Sequence, residues 1–165
     1  MNLIVRLFVL PVFLLWSGAV AVSASPDRVA LVIGMSDYET VTPLTNTRND
    51  AEALADTLSD IGFDVTRVID VSLEELRAVM KDFSFRSETA DLALIYFAGH
   101  GIEVQGENFL MPIDAKPRSN IDVQNQSVSL KEMLGVVEKV GMSRTMLKSG
   151  SGDAADFMVM RPEPT

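Results

Sequence analysis

The sequence contains no cysteine and a single histidine, His100. The first absence removes disulfides, thiolate zinc sites and any thiol nucleophile together. The second removes histidine-rich metal centres. Basic side chains are also scarce: 14 Lys and Arg stand against 23 Asp and Glu, a net charge of −9, with no basic cluster. A nucleic-acid groove needs clustered positive charge to displace counterions from phosphates, so nucleic acid is not an expected partner. The acidity could suit a basic ligand, although solubility is its plainer explanation. No Gly-x-Gly-x-x-Gly or P-loop pattern follows a strand, which leaves phosphate binding without support. What remains is 47% apolar and 22% charged residues in a chain of 165, the make-up of one globular domain with a real core. The nine methionines fall mostly in the leader, on helix faces or near the C-terminus, where packing explains them better than metal handling.

The apolar run at the N-terminus is short. Arg6 and the amino terminus supply positive charge, Leu7–Trp16 is a ten-residue apolar stretch, and Val22-Ser23-Ala24 places small residues where a signal peptidase reads. A run of that length does not span a bilayer unaided. Residues 1–24 are therefore expected to be a secretory signal peptide cleaved after Ala24, so that the mature protein starts near Ser25 in the periplasm or outside the cell. The alternative is an uncleaved anchor, because Ala19–Val22 extends the apolar stretch. No cysteine follows to carry a lipid, so no stable membrane anchor is expected after cleavage.

Beyond the leader, strand and helix patterns alternate. Val29–Ile33 is a wholly apolar run ending at Gly34, as suits a central strand buried on both faces. A polar loop follows from Ser36 to Thr47. Ala51, Leu54, Ala55, Leu58 and Ile61 share a helical face, with a start at Asn49 and Glu52 and a stop at Gly62. Phe63–Val71 reads as a second strand. Ser72 and Glu75 have capping-box spacing, and Leu73, Leu76, Val79, Met80 and Phe83 continue the stripe of a second helix. Leu92–Phe97 is a third apolar strand. Gln105-Gly106-Glu107 should turn a short hairpin, residues 115–127 read as a polar loop, and Ser129 with Glu132 opens a helix that ends near Gly141. This alternation predicts an α/β domain of three layers around a mainly parallel sheet. Ligands in such sheets sit beyond the carboxyl ends of the strands. If strands one and three are neighbours, Gly34–Tyr38 and Ala98–Gly101 share one rim there. His100 lies on that rim between Gly99 and Gly101, whose bare backbone permits close approach of a substrate.

These motifs, taken in order, resemble those of bacterial caspase-like domains. They are Val29–Gly34 with Ser36 and Tyr38; Leu44, Asn46 and Asn49-Asp50-Ala51; Leu54 and Leu58; Ile61-Gly62-Phe63-Asp64-Val65; Tyr96-Phe97-Ala98-Gly99-His100-Gly101; and Leu110-Met111-Pro112-Ile113-Asp114-Ala115. The resemblance runs from about Arg28 to Val140 and implies a caspase–haemoglobinase fold over residues 28–141. It also implies cysteine-type endopeptidase chemistry without a cofactor or metal, acting on peptide or protein partners. In that chemistry a thiolate attacks the peptide carbonyl and a histidine protonates the leaving amine. By motif, His100 is the catalytic histidine and Gly101 the oxyanion-hole residue. Asp50 lies in a stretch that builds an acidic specificity pocket in the basic-specific branch of the family. Its plainer reading, a helix first-turn aspartate favoured by the dipole, is preferred.

The resemblance implies a fourth apolar strand, ending in a cysteine beside the histidine, from near Arg144. Here only Met146 and Leu147 are apolar before Lys148-Ser149-Gly150-Ser151-Gly152, which reads as linker. Residues 142–165 are thus expected to be an atypical, disordered tail. The sheet should then be incomplete at the C-terminus, with strand three at an open edge. Three explanations stand: a change of reading frame near Met142–Met146; a pseudoenzyme in which Asp153-Ala154-Ala155 is a degraded Asp-Ala-Cys with Ala155 at the nucleophile position; or a serine nucleophile, Ser149 or Ser151, which nothing positions. The first two lead to an inactive caspase-like domain or a non-catalytic peptide-binding module, and because nothing positions either serine that is the outcome expected of this chain.

Overall fold

The computed structural model describes residues 28–138, 144–149 and 154–161. Seven strands and four helices are found among them. β1 (Arg28–Gly34) is the central strand, with every residue from Val29 to Gly34 buried. It pairs in parallel with β2 (Asp64–Ile69) on one side and with β3 (Leu92–Val104) on the other. Alternate residues of β1 feed two separate cores, as the two-residue period of a strand requires. Val29, Leu31 and Ile33 pack under α2 (Leu73–Glu88) and α4 (Leu130–Glu138), alongside Leu76, Met80, Phe83, Met133 and Val137. Ala30 and Val32 face α1 (Thr47–Asp60), alongside Ala51, Ala55 and Leu58. The domain is therefore three-layered as expected, with α1 on one face of the sheet and α2 and α4 on the other.

The helix boundaries follow local chemistry. The Ser72 hydroxyl accepts from the Glu75 amide and the Glu75 carboxylate accepts from the Ser72 amide, so the capping box is complete. α1 starts at Thr47, two residues before the expected Asn49, and its N-cap Asn46 makes no side-chain cap bond. Buried Thr47 fixes the start instead, donating its hydroxyl to the Met35 carbonyl at 2.7 Å. Gly62 ends the helix in the left-handed region, φ +91°, where a side chain would be strained.

β3 outruns its apolar segment. Its first half pairs with β1, and beyond Gly99 residues 101–104 pair antiparallel with β4 (Glu107–Leu110). The hairpin turns at Gln105 and Gly106, both at positive φ (56° and 82°), the geometry of a two-residue turn that matches strand twist. β4 then pairs antiparallel with β5 (Val128–Ser129).

Three expectations are corrected. The sheet is mixed rather than mainly parallel: β3–β4, β4–β5, β3–β7 and β6–β7 are all antiparallel. The stretch read as a polar loop contains α3 (Asn120–Gln126). It buries only Val123, so it shows no apolar stripe, and it is held by Ser119 accepting from the Asp122 amide and Asp122 accepting from the Arg118 amide. Finally, the segment expected to be a disordered tail contains β6 (Arg144–Ser149) and β7 (Ala154–Arg161). β7 pairs with β3 from Ala93↔Arg161 to His100↔Ala154, so β3 is not left at an open edge. Backbone pairing needs no apolar pattern, which is why the polar sequence around Lys148-Ser149 did not announce a strand.

Candidate active site

β1 and β3 are parallel neighbours, so the loops leaving their carboxyl ends meet on one rim, as expected. The Met35 amide donates to the Ala98 carbonyl at 2.8 Å, carrying the pairing one residue past β1. The chain then turns through Ser36 and Asp37 and buries Tyr38. The carboxylate of Asp70, just after β2, organises this turn. Its Oδ1 accepts the amides of Ser36 (2.5 Å) and Asp37 (3.0 Å), and its Oδ2 pairs with Arg48. Asp70 holds φ at +52°, a conformation that aspartate tolerates better than most residues.

His100 is buried at 8% exposure. Its amide donates to the Tyr38 hydroxyl at 2.7 Å, and its carbonyl accepts from the Met111 amide at 3.0 Å. Nε2 lies 2.7 Å from the carbonyl oxygen of Thr42. A carbonyl only accepts, so Nε2 carries a proton. The Tyr38 and His100 rings lie 4.6 Å apart at an angle of 57°. Burial raises the Tyr38 phenol well above its ordinary pKa of 10. The hydrogen bond from the His100 amide opposes that shift, and the Asp70 charge adds to it. Tyr38 is therefore a neutral hydroxyl that donates to the Met111 carbonyl at 3.2 Å while accepting from His100.

The Leu110–Ala115 motif acts as a strap across this rim. Besides the two bonds of Met111, the Ile113 carbonyl accepts the Glu39 amide (3.0 Å) and the Ala115 carbonyl accepts the Thr40 hydroxyl (2.8 Å). Asp114 accepts the Leu73 amide at the start of α2 (3.0 Å). One short segment thus ties the loop after β1 to the β2–α2 junction and to His100.

The other sequence-derived positions fall as follows. Gly101 is exposed beside His100 and pairs with Leu110. Asp50 is exposed in the first turn of α1, with its amide on the Asn46 carbonyl, which is where the helix-dipole reading put it. Ala155 sits opposite Gly99 in β7, one position from the His100↔Ala154 pair. Because β7 runs antiparallel to β3, its beginning lies beside the histidine, whereas the expected nucleophile strand would end there. Ser149 pairs with Ala155 from β6, two strand spacings from Gly99, about 10 Å. Ser151 lies outside the described residues. Among the described residues no group of three or more His, Cys, Asp or Glu is placed to hold a metal. Thr42 was not singled out from sequence because it acts through its carbonyl, which every residue has. Tyr38 had a signal, as part of the first motif, but without a role.

Residues 27–138, more than half of the chain, match the caspase domain family, peptidase C14. The chain belongs to the caspase domain family. The human mucosa-associated lymphoid tissue lymphoma translocation protein 1 is 33% identical over 89 residues, and its mouse homologue 32% over the same length. These matches cover 54% of this chain but only 11% of either relative. The Drosophila initiator caspase Dronc superposes with a TM-score of 0.53 at 14% identity, over 68% of this chain and 42% of that one. It shares the fold. The caspase domain found here therefore lies on a chain with no cysteine.

Proposed function

We propose that this chain is a caspase-like cysteine-endopeptidase domain that keeps the histidine half of the catalytic pair and does not hydrolyse peptides as these 165 residues stand. The observation that carries this reading is His100, buried on the rim with Nε2 donating to the Thr42 carbonyl, in a chain with no thiol anywhere in its sequence. His100 is the proton-handling group and Gly101 the oxyanion donor of this site. Ala155, the remnant of the nucleophile on the pseudoenzyme explanation, pairs opposite Gly99 at the start of an antiparallel strand, and a methyl group cannot attack a carbonyl. Losing a catalytic nucleophile costs about a million-fold in rate. Ser149, about 10 Å from Gly99 across two strands, is poorly placed to substitute. The site takes a peptide or protein.

The test has two parts. Peptides ending in Arg or Lys are titrated against the purified protein while the ring signals of its single histidine are followed. Turnover of fluorogenic peptides with the same ends is then measured beside His100→Ala. Saturable shifts of the ring without turnover are expected; turnover abolished by His100→Ala would overturn the proposal.

A second reading, a secreted non-catalytic peptide-binding module, draws on the same intact rim and on the leader, which lies outside the described residues. Export with cleavage after Ala24 is checked by the N-terminal mass of the protein recovered from its producing cell, expected to begin at Ser25. A mass beginning at Met1 would contradict it.

A further inference from the structure

We infer that Tyr38 is the positioning residue of this site: it grips the His100 backbone and ring together, so that Nε2 stays on the Thr42 carbonyl. The inference rests on the reading of His100 as the proton-handling group, and deepens it.

Three contacts converge on one phenol. Its hydroxyl accepts the His100 amide at 2.7 Å and donates to the Met111 carbonyl at 3.2 Å. Its ring lies 4.6 Å from the imidazole, tilted at 57°. It also occupies space that any side chain on the preceding residue would need: a Cβ on Gly99 would come within 2.6 Å of the Tyr38 hydroxyl. The glycine before the histidine is thus explained by the tyrosine beside it as well as by access for substrate.

A plain core residue would not need the hydroxyl. A phenylalanine would fill the same volume without the cost of burying a polar group. The hydroxyl is tolerated because both of its roles are used and cannot be exchanged. The Met111 carbonyl can only accept and the His100 amide can only donate, so the single phenolic proton is committed. Tyr38 is itself held from behind, because the next two residues bond to the strap through Glu39–Ile113 and Thr40–Ala115. The His100 backbone is therefore fixed against the loop that also presents the Thr42 carbonyl. Backbone grip and ring tautomer are coupled through one segment, residues 38–42.

The single histidine makes this testable without catalysis. Tyr38→Phe is compared with the wild type by exchange of the His100 amide and by the ring nitrogen signals that report the tautomer. The expected result is a folded variant in which the His100 amide exchanges at least about tenfold faster, the equivalent of one ordinary hydrogen bond, and the ring no longer holds the Nε2–H form alone. Unchanged exchange and tautomer in the folded variant would overturn the inference. So would faster exchange spread evenly over β1 and β3 with the tautomer intact, since that is the mark of a merely structural residue. If Tyr38→Phe does not fold, incorporation of 3-fluorotyrosine decides. Fluorine weakens the hydroxyl as an acceptor, so the His100 amide proton should move upfield, and an unmoved signal would overturn the inference. Peptide-induced shifts of the ring test the reading of the site separately. Their absence with the tautomer lock in place would remove that reading and leave the positioning role standing.

Discussion

Substituting alanine for glycine should have opposite effects at two positions in this chain. At Gly99 the added Cβ would lie 2.6 Å from the Tyr38 hydroxyl, 2.7 Å from Phe97 Cζ and 2.9 Å from Phe97 Cε1. Neither neighbour can step aside cheaply, because Tyr38 is buried and Phe97 is fully enclosed. Overpacking of this kind costs about 1–3 kcal/mol. If the hydroxyl is pushed off the His100 amide, a buried donor is stranded at a further cost of about 1–3 kcal/mol. Gly99→Ala is therefore expected to destabilise the domain by roughly 2–6 kcal/mol, a large part of the total for a domain of this size. Gly135, within α4, has nothing among the described residues within 4 Å of the position a Cβ would take, and no positive φ. Gly135→Ala should stabilise by about 0.5–1 kcal/mol, the helix-propensity difference. Both are read by urea unfolding, with equal slopes showing that the same surface is exposed in each variant. A Gly99→Ala protein within about 0.5 kcal/mol of wild type, in the range of an innocuous surface change, would refute the close packing of Tyr38 against the histidine motif.

Asp70→Ala removes the acceptor of the Ser36 and Asp37 amides and the partner of Arg48. A loss of about 1–3 kcal/mol is expected in urea unfolding, with faster amide exchange confined to residues 36–46; an unaltered loop would count against this anchor. The Glu75 carboxylate is held below its ordinary value of 4.5 by hydrogen bonds from the Ser72 amide and then the Ser72 hydroxyl. A depressed carboxylate stabilises the fold above its unfolded pKa, and that help is lost as pH falls through the folded value. Glu75→Gln should therefore flatten the acid limb of the stability–pH curve below pH 4.5, and an unchanged limb would contradict the capping box. Tyr38 has the opposite sign. Its raised pKa means that the folded state keeps a proton the unfolded state gives up, so stability falls as pH rises above 10. Alkaline unfolding followed at 295 nm should be shallower in Tyr38→Phe, and identical slopes would show that this phenol is not buried as described.

The framework was legible where periodicity and turn chemistry agree. Val29–Ile33 announced a strand buried on both faces, Ser72 with Glu75 a capped helix, Gln105-Gly106 a hairpin, and Gly62 a helix end. The rim followed once β1 and β3 were neighbours, since both apolar runs end in glycine-bearing loops. Less legible was whatever depends on backbone alone. Thr42 contributes a carbonyl, and β6 pairs without the apolar run that marks a buried strand, while β7 has only the short patch Phe157–Met160. α3 escaped notice because one buried residue, Val123, makes no stripe. Its Ser119–Asp122 spacing was the available signal. Asp70 was hidden for another reason: an aspartate after a strand is ordinary in a turn, and only the fold brings it to the amides of residues 34 and 33 positions earlier.

The most direct test is the rate at which the purified 165-residue chain cleaves Arg- and Lys-ending fluorogenic peptides, measured beside His100→Ala and Ser149→Ala. With the nucleophile gone, all three should be indistinguishable from buffer, about a million-fold below a working cysteine–histidine pair. Hydrolysis by the unaltered chain that vanishes in His100→Ala would contradict the central claim, and its loss or survival in Ser149→Ala would show whether Ser149 is the nucleophile working with this histidine.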